Sequence, residues 1–223
     1  MDRTAKRFHL SSPRLQLLIH QLGEQEARRR LWHFFPGMIA LALATAPHQE
    51  TVRLWVMLLI VIGGILLPAW MAIRCQQAYR RRMEASSVPS ILGYVIPVSI
   101  LALLCRSHIE IPLTVTAIIA FGDGSATLVG ILKGKIKIPW NSHKSWAGLF
   151  AFLIIGTLMA SLVYWISASS NVAYPQALTC VLPVVAICSL LETLPFALND
   201  NITIGVSAGI LLVLEQWIAL AIH

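Results

Sequence analysis

Seven apolar runs, at about 33–46, 52–73, 88–105, 109–121, 147–168, 172–191 and 202–222, divide the chain almost from end to end. A helix needs about 20 apolar residues to cross about 30 Å of hydrocarbon, and most of these runs approach that length. The first and fourth are short. They either tilt against their neighbours or, for the fourth, continue past Gly122 as a broken helix. Non-helical backbone at that depth is tolerated where it is buried in protein or lines a wet cavity. Of 223 residues, 57% are hydrophobic and 12% charged, against roughly 25% charged in an ordinary soluble domain. The expected fold class is all-α, a polytopic integral membrane helix bundle of about seven transmembrane helices.

Residues 13–30 read as a helix that does not span. Ser12 can cap it, Pro13 suits its first position, and Leu15, Leu18, Ile19 and Leu22 form a stripe closed by Arg28, Arg29 and Arg30. An amphipathic helix lying on the membrane fits this pattern; a disordered tail is the plainer alternative. The chain thus divides into an interfacial segment, 1–32, and a transmembrane domain, 33–223. The first 30 residues hold no apolar run after the basic residues, so no cleavable signal peptide is expected. Cys75, Cys105, Cys180 and Cys188 form no C-x-x-C pair and read as small hydrophobes.

The formal charge is +7. In a chain this apolar it reflects the positive-inside rule and anionic headgroups rather than nucleic acid. The segments before 33, at 74–87 and at 122–146 hold 15 of the 17 Lys and Arg, leaving Arg53 and Arg106 for the other side. The N-terminus is therefore expected in the cytoplasm. Asp123, Lys133, Lys135, Lys137, Lys144, Glu192, Asp200 and Asn201 then share the cytoplasmic face. A one-sided polar face suits a reaction between a soluble substrate and a lipid.

Four stretches on that face carry chemistry. Asp123 stands between Gly122 and Gly124, whose missing side chains let backbone approach a ligand. A carboxylate there can hold Mg²⁺ bound to substrate phosphates, or it can be a solvated residue at a helix-end turn. Gly130-x-x-x-Gly134-Lys135 resembles a phosphate loop but has one residue too few between the glycines and Ile136 in place of Ser or Thr. Lys133, Lys135 and Lys137 can neutralise a triphosphate or simply obey topology. Lys144-Ser145-Trp146 opens the next helix. Ser145 can cap it, free N–H groups attract anions, Lys144 adds a point charge, and Trp146 anchors the interface. "ETLPFALNDN", 192–201, offers Glu192 and Asp200 to a metal or as a general base, without a Lys or Arg nearby in sequence. Its plainer reading is a polar turn in which Asn201 caps the last helix. Arg29, Arg30 and His33, ahead of the first span, are boundary residues or phosphate contacts.

In order, Arg29-Arg30-x-x-His33-x-x-x-Gly37, Gly122-Asp123-x-x-Ala126-x-x-x-Gly130, Lys144-Ser145-x-x-Gly148 and Glu192-x-x-Pro195 with Asn199-Asp200-Asn201 resemble the CTP-dependent lipid kinases. That family includes phytol kinase, dolichol kinase and the CTP-type diacylglycerol kinase. "IPWNSHKSWAG" looks most like the phytol kinases. Ile131 stands where the family often has Arg, Thr127 where phytol kinases often have Asp, and Asn199 where the first Asp of D-D-N is usual. CDP-diacylglycerol synthases share a similar helix start but end on a signature containing Lys and Arg. Residues 185–223 here contain neither.

The resemblance implies transfer of the γ-phosphoryl of CTP to a long-chain isoprenoid alcohol, phytol first, with geranylgeraniol, a dolichol-type polyprenol or diacylglycerol as alternatives. It implies Mg²⁺ on Asp123 and Asp200, with Glu192 or Asp200 positioning metal or accepting the alcohol proton. Phosphates would be held by Lys133, Lys135, Lys144 and Ser145, with Arg30, His33, Gly122, Gly124 and Asn201 around the nucleotide. Other readings of the residues are a cytidylyltransferase forming a CDP-lipid and a non-enzymatic small transporter or scaffold. A transporter would favour paired broken helices in two repeated halves, and no internal repeat is visible.

Overall fold

The computed structural model describes residues 31–46, parts of 49–66, and residues 87–168, 172–195 and 199–222. The expected interfacial helix with Arg30, most of the 52–73 run and Cys75 lie outside the described residues. The described elements are α1 (Phe35–Ala44), α2 (Ser87–Leu104), α3 (Glu110–Lys133), a hairpin of β1 (Lys137–Ile138) and β2 (Asn141–Ser145), α4 (Trp146–Ser167), α5 (Tyr174–Thr193) and α6 (Asp200–Ile222). Among the described residues, four helices, α3 to α6, are long and apolar enough to cross a membrane. Phe35–Ala44 and Leu92–Leu104 are apolar but shorter. An all-α membrane protein is borne out, apart from the antiparallel hairpin; these four helices are the spans that length and composition support.

For the short run 109–121 the sequence offers a tilt or a continuation past Gly122 as a broken helix. The helix does continue, to Lys133, and Ile118–Asp123 forms a π-helical segment within it. A π turn takes in one extra residue and so rotates the downstream part of the helix by about 100°. Gly134 ends the helix. A Cβ there would sit 2.0 Å from the Gly130 carbonyl oxygen and 2.5 Å from Ser145 Oγ, so only glycine allows the chain to turn. The glycine pair that resembled a phosphate loop is therefore a seat for Ser145.

α3 is the hub because it is apolar on every side. Ile111, Leu113, Val115, Ala117, Ile118, Ile119 and Ala120 are all buried, and a helix greasy all round must be covered all round. The other described helices each touch it. Large apolar side chains on the outer faces, such as Ile154, Leu158, Leu190, Ile210, Leu214 and Ile218, remain exposed, as lipid-facing residues do. Small residues set the helix spacing. Gly205 accommodates the Pro97 ring and Gly209 accommodates Leu101 where α2 meets α6. Gly122 lies under the Phe152 ring, and Gly156, in the π-helical segment Phe152–Gly156 of α4, comes close to the Gly122 Cα.

α1 approaches α3 through Gly37. A Cβ on Gly37 would lie 2.6 Å from the Phe121 ring and 2.7 Å from Ala120 Cβ. Gly37→Ala is expected to destabilise the bundle by about 1–3 kcal/mol through overpacking. The readout is the thermal unfolding midpoint in detergent, which should fall against the native chain.

Candidate active site

Five polar side chains from five separate elements or their ends meet at one end of the bundle. Asp123 comes from the end of the π-helical segment of α3, Glu192 from the last turn of α5, and Asp200 from the first residue of α6. Lys144 comes from β2 and His33 from the residues just before α1. Asp123, Glu192 and Asp200 each offer a carboxylate oxygen, and the three oxygens lie within 4.8 Å of one another. Lys144 Nζ donates to Glu192 Oε1 and, at 2.9 Å, to Asp200 Oδ2. His33 Nε2 is 3.0 Å from Asp123 Oδ2.

Burial makes this cluster demanding. The Glu192 side chain is 4% exposed and the Asp123 side chain 13%, while Asp200 is open at 43%. Removing carboxylates from water is costly unless cations and donors replace the solvent. Burial by itself would lower the affinity of Lys144 for its proton. The charges and hydrogen bonds of Glu192 and Asp200 outweigh that effect and push the ammonium above its ordinary value. Lys144 is therefore charged at any physiological pH. The acids at 192–200 have no basic neighbour in sequence, but they have one in space.

The hairpin delivers Lys144. Its strands pair Lys137 with Ser145 and Ile138 with Asn141. Its tip is fastened to the end of α5, where Trp140 Nε1 donates to Thr193 Oγ1 and Asn141 Nδ2 donates to the Thr193 carbonyl, each at 3.1 Å. Thr193 comes directly after Glu192, so the same contact sets the lysine beside its partner. Ser145 caps α4 as its position predicts, accepting from Gly148 N at 3.2 Å. Trp146 N donates to the Ile136 carbonyl. Two of the N–H groups expected to attract phosphate at this helix start are thus used internally, and Ser145 itself is buried against Gly130 and Gly134.

Other expectations are revised by position. In sequence, Gly122 and Gly124 look like places where backbone approaches a ligand. Their space is taken by Phe152 in one case and by Phe34 and His33 in the other. Lys133 ends α3, about 15 Å along the axis from Asp123 at 1.5 Å per residue; its side chain and that of Lys135 are exposed and make no ion pair among the described residues. Asn201 is buried inside the first turn of α6, and Asn199 is the residue that caps it, its Oδ1 accepting from Asn201 N at 2.9 Å. Asn199, where the kinases it resembles usually have Asp, still offers an N-cap acceptor. Arg30 lies outside the described residues.

Sequence reasoning missed the supports of the cluster. The Tyr94 hydroxyl donates to the His33 carbonyl at 3.2 Å, and its ring stands edge-on to the imidazole at 5.1 Å. Gly93 leaves room for Asn199, whose Oδ1 would lie 2.7 Å from a Cβ there. Neither residue belongs to a charged motif, and no local pattern announces a contact 61 or more residues away. Trp140 and Asn141 were visible in "IPWNSHKSWAG", but not their grip on Thr193.

The fold and this cluster define a helical membrane protein with three carboxylates and a lysine gathered at one end. The chain is similar to "Probable phytol kinase 1, chloroplastic" of Glycine max, 34% identical over 120 residues, which is 51% of this chain and 39% of that protein. It is 27% identical over 195 residues to "Phytol kinase 1, chloroplastic" of Arabidopsis thaliana, 81% of this chain and 64% of that one. "Farnesol kinase, chloroplastic" of Arabidopsis thaliana is 29% identical over 123 residues, 53% and 40% respectively. The chain thus aligns with less than two thirds of the length of these relatives. No family model and no solved structure matches. The resemblance carried by the four motifs is borne out: the chain is similar to proteins named phytol kinase and farnesol kinase.

Thr193→Val removes the acceptor for Trp140 while leaving the carbonyl bond from Asn141. It is expected to loosen the hairpin by about 1 kcal/mol, the net value of one hydrogen bond. Amide exchange across Lys137–Ser145 should speed up. Unchanged protection would assign the docking of the hairpin to Asn141 alone.

Proposed function

We propose that this chain is an isoprenoid-alcohol kinase that transfers the γ-phosphoryl group of CTP to the hydroxyl of phytol or a similar long-chain alcohol. The observation that carries the reading is the convergence of Asp123, Glu192, Asp200, Lys144 and His33 into one cluster. Support for the acceptor comes from relatives named for phytol and farnesol. Support for CTP comes from the motif resemblance.

Phosphoryl transfer needs placement and neutralised charge more than covalent help from the protein. Three carboxylate oxygens within 4.8 Å fit a hard, oxygen-liganded cation such as Mg²⁺, which is bound through one or two carboxylates plus substrate phosphates. Asp123 and Asp200 would hold it, and it would lend positive charge to the phosphates. Lys144 supplies a mobile ammonium to the same phosphates. Lys133 and Lys135 act at a distance, raising the positive potential that draws the nucleotide to this face. His33 orients the Asp123 carboxylate, and Tyr94 holds His33 in place.

In the reaction, the alcohol oxygen forms a bond to the γ-phosphorus as the bond to the β-bridging oxygen of CTP breaks. The products are a lipid phosphate, CDP and one proton. Glu192 or Asp200 takes the proton from the hydroxyl and passes it to water. Asp200, the more open of the two, is the readier route out. The isoprenoid tail lies among apolar helix faces, with its hydroxyl at the aqueous boundary. The Lys and Arg bias supports a cytoplasmic position for this face in a multi-pass protein.

The test offers labelled CTP, ATP, GTP and UTP to the purified full chain with phytol, geranylgeraniol, farnesol, a polyprenol or diacylglycerol, and separates the products by chromatography. CDP together with an isoprenoid phosphate is expected; release of pyrophosphate would mean a CDP-lipid product instead. Asp123→Asn should cut lipid phosphorylation about 100-fold or more, the scale for removing a charge-stabilising group. Undiminished turnover in a folded preparation would take Asp123 out of the mechanism.

A further inference from the structure

The Lys144 ammonium lies between Glu192 and Asp200, bonded to an oxygen of each, in the same cluster where three carboxylates come within 4.8 Å. A lysine that only gripped phosphate would gain nothing by sharing itself between two acids from different helices. We infer that Lys144 is a built-in stand-in for the divalent cation: it neutralises the carboxylates while the site holds no nucleotide, and leaves them for the nucleotide phosphates as the metal enters. This rests on the kinase reading above and adds an order of events to it.

Three features support the exchange. First, the charges compete. A lysine on Glu192 and Asp200 and a divalent ion on Asp123 and Asp200 would share the Asp200 carboxylate and repel each other across a short distance in a half-buried site, so both do not stay. Second, the ammonium can move while its backbone does not. Residues 137–145 are held by strand pairing and by the two bonds to Thr193, whereas the lysine head rides on a flexible four-carbon stem. Third, the acids need a counter-charge at all times. Glu192 is buried, and, among the described residues, Lys144 is the Lys or Arg that pairs with it. Emptying the site without a substitute cation would leave uncompensated charge in a low-dielectric setting.

The exchange couples two ligands. Nucleotide that draws Lys144 away opens the carboxylates to metal, and metal that displaces Lys144 frees it for nucleotide. By linkage the two effects are equal in size. Free Mg²⁺ would then bind weakly without nucleotide, so the site does not fill with metal in a form that excludes the substrate.

The experiment measures Mn²⁺ binding to the detergent-solubilised full chain by the loss of the free-ion paramagnetic resonance signal beyond that of the same mixture without protein, with and without CTP and with no alcohol present. The native chain should bind Mn²⁺ weakly alone and about tenfold more tightly with CTP, a typical coupling between linked sites. Lys144→Met should bind Mn²⁺ about tenfold more tightly than the native chain without nucleotide, and the further gain from CTP should be smaller than in the native chain. Lys144→Gln, which keeps a donor but no charge, should behave alike and guards against a folding defect in the first variant. Mn²⁺ should also raise the unfolding temperature of both variants by more than that of the native chain. If CTP tightens Mn²⁺ binding in the native chain but neither variant gains affinity for the bare ion, the stand-in role is overturned while the kinase reading survives. If no form binds Mn²⁺ under any condition, both fall.

Discussion

The ion pairs of Lys144 with Glu192 and Asp200 draw together three parts of the chain at the aqueous end of the bundle. Glu192 ends α5, Asp200 begins α6, and Lys144 stands on a hairpin between α3 and α4. Carboxylates at the ends of apolar helices repel one another and resist leaving water. A single shared cation reverses both costs at once. It also fixes the geometry in which Asp123, on the central helix, completes the cluster. The aqueous end of the bundle therefore depends on electrostatic closure, whereas its interior depends on apolar packing.

The hairpin is what allows that closure. A lysine carried on a loose loop would lose much side-chain and backbone freedom on docking. Here the backbone is already ordered by the strand pairing, by the Ser145 cap and by the two bonds to Thr193. Gly130 and Gly134 make room for Ser145 and so set where α4 starts relative to where α3 stops. Glycines that look like ligand-binding positions in the sequence act here as spacing between elements. The same holds at Gly122 and Gly124, which let Phe152, Phe34 and His33 close over α3.

Paired π-helical segments give the site its depth. Ile118–Asp123 in α3 and Phe152–Gly156 in α4 lie at the same level, with Gly156 against Gly122. The extra residue in α3 turns Asp123 toward α5 and α6 while Gly122 faces α4. An uninterrupted α-helix through this stretch would present a different residue to the acids. Such segments are found mostly as single turns at functional positions, which agrees with the use proposed for Asp123.

Much of this was legible in the residues. The apolar runs required helices in a membrane, because 57% hydrophobic content leaves no soluble alternative at this length. Runs 147–168, 172–191 and 202–222 match α4, α5 and α6 closely, since long uninterrupted apolar segments have only one low-energy backbone in lipid. Asp123, Lys144, Glu192 and Asp200 stood out because charged residues are rare there and each had a motif around it. Hidden from the sequence were where α3 ends and the π-helical form of its break, the use of the helix-start N–H groups by the protein itself, and the removal of Lys133 and Lys135 from the cluster. Local composition fixes what a segment prefers, but the partner of a glycine, an N–H group or a lysine is set by contacts tens of residues away. The order of residues was enough to make this chain a helical membrane protein with a few costly charges. That those charges neutralise one another in one place came from the packing of the helices, because Coulomb attraction acts through space and not along the chain.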